Sequence, residues 1–400
     1  MRKSASLRWS VCLLSVASLC AWAAVARAAA PALRSDNPLH NALDRAVQAE
    51  SAGFFSSGCH VGLSLAAVSR DGTDFYDYGA TTRDGAKPPD RRSLYEIASV
   101  TKVFTAALAA KAVVDHRIAL DGDFRAYLPG SYPNLAWNGR PITLRWLVTH
   151  RAGMPRDIPD TDAIFAKHDL MTLPFEYIAL SRGYDQSRFL SALHAVHLGS
   201  APGDKEVYSN AGFLVIGLGL EKVYAQPYGE LLRRTILRPL GMTSTGLSVE
   251  GPDRSDLMKS YDRYGRVVPY HLPNAGAAWG LYSSTEDMAK FVRWQLDERD
   301  PVVARSHRLL VGSAEDGVAM AWHLGLADHD PMLWHSGGSF GTSAQVVLFP
   351  RQREGYVLLT NDACEGTEGA LRDFAVALHE KIRAGRASLS SRGPGPRPRP

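Results

Sequence analysis

Ser99 and Lys102 lie three residues apart, where a polar loop gives way to the apolar, alanine-rich run Val103 to Val114. A helix beginning there places both side chains on one face. A serine hydroxyl becomes a nucleophile once a base takes its proton, and lysine is such a base when burial lowers its pKa. The helix N-terminus adds free N–H groups and partial positive charge where an oxyanion would form. On those four positions alone, a capping serine followed by a solvated lysine is the blander and better-supported reading. Two later clusters change the balance. Tyr208-Ser209-Asn210 stands between a Pro-Gly turn and a helical run, and His335-Ser336-Gly337-Gly338 ends an expected strand. Taken singly, the tyrosine reads as packing and the histidine as a satisfied strand residue.

The elements that must position these groups follow from periodicity and turn chemistry. Leu39 to Ala52 reads as an amphipathic helix, and His60–Val68 with Asp74–Ala80 as a strand pair turning at Arg70-Asp71-Gly72. Ile142–His150, Gln186–His197, Asn210–Val223, Tyr228–Leu237 and Ser284–Leu296 read as helices. The last has Ser284 three before Asp287 and acids in its first turn. Residues 156–185 have weak periodicity and read as loop with short helices, a length often used for substrate-facing excursions. Leu333–His335, Thr342–Phe349 and Gly355–Thr360 read as strands, and Thr367–Ile382 as a closing helix. Strands at both ends with helices between them predict one sheet built from both chain ends, carrying a helical insertion.

The chain of 400 residues is 45% hydrophobic and 22% charged, the balance of a soluble globular protein with ample core. Residues 1–28 read as a secretory leader: Arg2, Lys3 and Arg8, then the apolar run Val11–Val25, then Ala26-Arg27-Ala28 as a small-x-small cleavage site. That run is short for a membrane span. Ala384–Pro400, rich in Ser, Arg, Gly and Pro, reads as a disordered tail. The formal charge of +4 misleads, because leader and tail each hold four basic residues and no acid, leaving the body net negative. No nucleic-acid surface is indicated. Cys12 and Cys20 leave with the leader, and Cys59 and Cys364 fit a disulfide or two separate buried thiols equally well. His194 and His197 stand three apart without a third metal ligand and read as ordinary helix residues. Asp157, Asp160 and Asp162 lack the glycine and distal glutamate of a calcium loop and read as solvated charge.

Ser99-x-x-Lys102, Tyr208-Ser209-Asn210 and His335-Ser336-Gly337-Gly338, in that order, resemble the penicillin-recognising serine hydrolases. The Tyr-x-Asn second motif is similar to that of the branch holding class C β-lactamases, DD-peptidases and their esterase relatives. Softer similarities run from about Gly58 to Leu378 and include Leu147 to Gly153, Arg238-Pro239-Leu240-Gly241-Met242 and Gly280 to Ser284. Asn138-Gly139-Arg140-Pro141-Ile142-Thr143 looks most like the AmpH-type carboxypeptidase/endopeptidase group. The resemblance implies an α+β, β-lactamase/transpeptidase-like fold: a five-stranded antiparallel sheet flanked by helices, over residues 31–383, with a helical insertion at roughly 99–270.

By resemblance Ser99 forms an acyl-enzyme, with Lys102 and Tyr208 as the base system, a neighbouring ammonium favouring the phenolate. Asn210 would hold Lys102 and the substrate's amide carbonyl. His335, Ser336, Gly337 and Gly338 would line the substrate, with the N–H groups of Ser99 and Gly338 as oxyanion donors. The resemblance gives His150 a bracing role and, by laying the first strand beside the last, pairs Cys59 with Cys364. It implies no metal and no cofactor. His335 stands where β-lactamases usually have lysine, so its pull on a substrate carboxylate should be weak and pH-dependent. No arginine lies between Arg308 and Arg351 to grip a terminal carboxylate. The implied function is a periplasmic or secreted hydrolase of peptidoglycan stem peptides that penicillin acylates, with possible peripheral contact with wall or membrane. A class C-like β-lactamase or esterase, and a non-catalytic penicillin-binding sensor, are the alternatives.

Overall fold

The computed structural model describes residues 35–85, 87–247, 256–270 and 276–391, so the expected leader lies outside the described residues. Helix α1 (Ala42–Phe55) starts at a capping box in which Asn41 Oδ1 accepts from Asp44 N and Asp44 Oδ2 accepts from Asn41 N. Strands β1 (Gly62–Val68) and β2 (Thr73–Gly79) follow as an antiparallel pair. Tyr76 of β2 donates to Asp44 at 2.8 Å, tying the cap of α1 to the sheet. The middle of the chain holds α2 (Thr101–Val114), α3 (Asn210–Tyr224) and α4 (Thr285–Gln295). The last third returns to strands: β3 (Val311–Gly312), β4 (Gly317–Val318), β5 (His323–Ala327), β6 (Asp330–Gly338), β7 (Ser343–Phe349) and β8 (Glu354–Thr360). Helix α5 (Thr367–Ser391) closes the fold.

The strands form one sheet in the order β2-β1-β8-β7-β6-β5-β4-β3. β1 pairs antiparallel with β8, Leu63 opposite Thr360, so the two chain ends meet as expected. Among the described residues the sheet has eight strands, where five were expected. The additional strands are β3, β4 and β5, of two, two and five residues, too short and glycine-interrupted to show a period. β6 is also longer than the expected Leu333–His335, running from Asp330 through the glycine pair at 337 and 338.

Side chains alternate between two cores. Leu63, Leu65, Tyr76, Val347 and Leu358 face α1 and α5, meeting Val47, Phe54, Leu371, Phe374 and Leu378. Ala66, Val68, Val346, Val357 and Leu359 face the helical insertion, meeting Val103, Phe104 and Leu108 of α2 and Phe291 of α4. Because both faces are covered, β1, β7 and β8 are buried along their whole length. α2 is apolar nearly all round, and its ring at Phe104 stacks on Phe291 at 3.9 Å. No helix among the described residues is long and apolar enough to cross a membrane.

The closing helix runs on to Ser391, past the expected end at Ile382 and into part of the expected disordered tail. Residues 383–391 are mostly helix-tolerant Arg, Ala, Ser and Leu, and the first proline comes only at Pro394. Cys59 and Cys364 are joined by a disulfide closing 305 residues of chain. Beside it His60 Nδ1 pairs with Asp362 at 2.8 Å, and Asp362 also accepts from Val61 N and Thr360 Oγ1. A Cys59→Ser, Cys364→Ser protein is expected to lose about 2–5 kcal/mol of stability relative to the oxidised parent. Urea unfolding of the two proteins side by side checks this. An unaltered midpoint would mean that the bridge restrains nothing the sheet has not already restrained.

Candidate active site

Ser99 sits on a turn held from two directions. Tyr95-Glu96 pairs with Tyr282-Ser283, Ile97 N donates to Leu281 O, and Leu281 N donates to Thr101 Oγ1. Ala98 is forced to φ +44°, a left-handed conformation costing an alanine about 1–2 kcal/mol. A 3₁₀ turn over Ala98–Val100 then leads into α2. A capping serine would spend its hydroxyl on a helix N–H, yet neither the turn nor α2 has a side-chain cap. The hydroxyl of Ser99 meets Lys102 Nζ at 3.1 Å and the Tyr208 hydroxyl at 2.6 Å instead. The bland reading of this pair therefore fails on geometry.

Lys102 is fully buried, and its ammonium has three acceptors: Ser99 Oγ, Asn210 Oδ1 at 2.8 Å and the Ala278 carbonyl at 2.9 Å. Three acceptors match its three protons. Burial nevertheless pushes its pKa well below the ordinary lysine value, Asp157 opposes this, and Arg156 adds to it. Asn210, first residue of α3, is fixed by Lys102 on its oxygen and by Asp157 Oδ1, which accepts from Nδ2 at 2.8 Å. Its Nδ2 carries a second proton for a substrate carbonyl.

Tyr208 stands just before α3, capped by Ser209, whose Oγ accepts from Gly212 N. The phenol ring lies under Lys102 Nζ at 4.7 Å and against the His150 ring at 4.3 Å. His150, at φ +58°, accepts from Ser209 N through Nδ1 and so braces the Tyr208 segment. Tyr208 is 37% exposed as a residue, but desolvation at its hydroxyl raises its pKa, with the Ser99 hydrogen bond pulling the other way. The expected phenolate is thus disfavoured. Of the two candidate bases, burial makes the lysine easier to deprotonate and keeps the phenol protonated.

The third cluster ends β6. β5 pairs with β6 only as far as His323 opposite Trp334, so residues 335–338 continue beyond it while still paired with β7. Gly337 is required here: a Cβ would collide with the Ile97 carbonyl and lie 3.0 Å from Ser99 N. Its absence lets the strand and the nucleophile turn touch. Ser99 and Gly338, expected to supply the oxyanion donors, lie on the two elements that meet at this contact. Ser336 donates to Gln345 Oε1 at 2.6 Å across the β6–β7 pair.

His335, expected to pull weakly and pH-dependently on a substrate carboxylate, departs from that expectation in its charge. Its ring is buried, with Nδ1 2.6 Å from the Ala321 carbonyl and stacked 5.8 Å from His323. Burial pushes its pKa down to about 3, aided by His323 and Lys102 and opposed by backbone bonds to Ala321 and Ser99. A neutral ring turned inward positions the turn of Ser99 and offers no charge to a substrate.

Asp157 is the second correction. Asp160 and Asp162 are exposed, whereas Asp157 is buried and accepts from Asn210, Thr161 Oγ1 at 2.8 Å and Tyr177 OH at 3.3 Å. Nothing in its sequence context distinguishes it from its two neighbours. Residues 156–185 contain the helices Asp162–Phe165 and Leu173–Ser181. From the second, Tyr177 reaches Phe340, two residues past the motif, with ring centres 5.2 Å apart. The excursion thus closes one end of the site. His194, set aside as a metal ligand, stacks on Tyr132 at 4.5 Å.

Asp157→Ala removes the charge that raises the Lys102 pKa, so the alkaline-going limb of the pH–rate profile is expected to move to lower pH. It also takes away the acceptor that fixes Asn210 Nδ2, for about a tenfold loss in kcat/KM. A profile of kcat/KM against pH for both proteins checks the sign, and a shift to higher pH contradicts the argument.

The sequence profile of the β-lactamase family matches residues 43–381, and the chain belongs to that family of serine hydrolases. It is similar to Protein flp of Staphylococcus aureus (strain N315), 26% identical over 314 residues, which is 76% of this chain and 60% of that protein. It thus spans less than two thirds of that relative's length. It is also 24% identical over 327 residues to the D-alanyl-D-alanine-carboxypeptidase/endopeptidase AmpH of Escherichia coli (strain K12), covering 77% of this chain and 81% of that one. The fold is that of a β-lactamase/D-alanine carboxypeptidase from Pseudomonas syringae, with TM-score 0.72 and 19% identity over 85% of this chain and 99% of that chain.

Proposed function

We propose that this chain is an exported serine hydrolase that cleaves D-alanyl-D-alanine-type peptides of peptidoglycan through an acyl-enzyme on Ser99. The observation that carries this reading is the Ser99 hydroxyl, held at once by Lys102 Nζ at 3.1 Å and by the Tyr208 hydroxyl at 2.6 Å. Attack of Ser99 Oγ on the carbonyl transfers its proton to neutral Lys102, and the developing oxyanion rests on the N–H groups of Ser99 and Gly338. Tyr208 donates its proton to the departing nitrogen and recovers one from Lys102. Water then repeats the sequence in reverse roles and releases the acyl group. The expected leader and the disulfide support export. The similarity to AmpH supports the peptide substrate.

A second reading, hydrolysis of small esters that carry no carboxylate, is favoured by the neutral, inward His335 and by the stretch without arginine from 309 to 350. An intact-mass time course of the mature protein with a penicillin, beside a D-alanyl-D-alanine peptide assay, separates them. A lasting adduct with peptide cleavage is the result expected. A fleeting adduct with hydrolysed drug points to a β-lactamase, and a lasting adduct without peptide cleavage to a sensor. No adduct with ester turnover points to an esterase.

A further inference from the structure

Next to the catalytic edge lies a polar pocket of about 270 Å³, whose lining includes Arg263, Ser339, Ser343, Glu365, Thr367 and Glu368. Glu368 belongs to the first turn of α5, where an acid complements the helix dipole wherever its side chain points. Here the carboxylate is placed against the substrate edge. A Cβ on Gly338 would overlap Glu368 Oε1 and lie 2.9 Å from its Cδ. Its charge also reaches the Tyr208 hydroxyl, where it is one of the influences disfavouring the phenolate.

The nearby cations are engaged elsewhere. Arg263 pairs with Glu365 at 3.4 Å, Arg156 pairs with Asp157 at 3.6 Å and covers the Phe165 ring, and His335 is neutral. Among the described residues Glu368 has no ion pair and no hydrogen bond; it is exposed to solvent on one side, while partial desolvation on the other raises its pKa. The carboxylate thus touches Gly338, whose N–H is the expected oxyanion donor.

We propose that Glu368 selects substrates by charge, favouring those that place an ammonium group over Gly338 and disfavouring those that place a carboxylate there. The inference rests on the Ser99 acyl-enzyme reading and narrows it. Among D-alanyl peptides Glu368 favours those that bring the free amine of a diamino acid to Gly338 and slows those whose chain-terminal carboxylate falls there. An unpaired carboxylate a few ångströms from a substrate charge, at a site open to solvent, is worth about tenfold in selectivity between the two signs of charge.

The test uses three acyl substrates that share one scissile bond and differ in a flanking group: carboxylate, carboxamide or aminomethyl. kcat/KM and Ser99 adduct mass are measured for the wild type, Glu368→Gln and Glu368→Lys. Thermal melts confirm that each variant is folded. For the wild type we expect the ammonium substrate to be preferred over the carboxylate substrate by about tenfold or more. That ratio should fall toward one in Glu368→Gln and invert in Glu368→Lys. Turnover with one ratio across all three proteins overturns the role of Glu368 while leaving the acyl-enzyme reading intact. If folded wild type forms an adduct with none of the substrates, the reading beneath it falls, and the proposal falls with it.

Discussion

Ser99→Ala is expected to abolish the covalent adduct with penicillin and to lower kcat/KM on any ester or peptide substrate by about 10⁴–10⁶-fold. The expectation rests on geometry more than on the motif. Among the described residues the Ser99 hydroxyl caps no helix and is held only by the two candidate proton carriers, Lys102 and Tyr208. Its loss should cost little stability, because Ser99 contributes no buried apolar surface and the turn is fixed by its backbone and by Thr101. The informative comparison is therefore a protein with a nearly unaltered melting temperature and no adduct by intact mass. Hydrolysis surviving at a tenth of the parent rate would place the nucleophile elsewhere and remove the basis of the whole site.

Lys102 carries the second large effect, and two substitutions separate its possible roles. Lys102→Ala is expected to lower the acylation rate by about 10²–10⁴-fold, the range for loss of a general base. Lys102→Arg keeps a cation in the same place but cannot release a proton near neutral pH. If the lysine acts as base, the arginine variant should acylate as poorly as the alanine variant. If it acts only as a fixed charge, arginine should restore most of the rate, and Tyr208 would then have to be the base. The directions of the shifts argue for the first outcome, since burial lowers the lysine and raises the tyrosine. The deprotonated, active form is then present above a lysine pKa that lies below its ordinary value. Activity should accordingly rise with pH through that value and lose this limb in both variants. Stopped-flow acylation at several pH values gives the answer.

Much of this site is legible in the sequence because its parts are local. Ser99 and Lys102 share one helical face, Tyr208 and Asn210 flank one capped helix start, and Gly337 and Gly338 mark a place where only a bare backbone fits. The residues that escape notice act over long sequence separations through ordinary chemistry. Asp157 has the same composition around it as Asp160 and Asp162, and only burial beside Asn210 sets it apart. Glu368 looks like any acid in a first turn until the strand end at Gly338 is laid against it. The short strands β3 to β5 carry no period of their own and exist because β6 offers them an edge.

By itself, then, the sequence determined the order of the motifs, the apolar helix behind Ser99 and the two-strand start and strand-rich end of the sheet. These follow from periodicity, turn residues and the few side chains able to do acyl-transfer chemistry. Tertiary structure alone decided the charge states. Burial leaves His335 neutral and turned inward, lowers Lys102, keeps Tyr208 protonated and sets an unpaired Glu368 at the mouth of the site. The physical reason is that a side chain's type fixes which proton it can carry, whereas desolvation and neighbouring charge, both products of packing, fix whether it carries it.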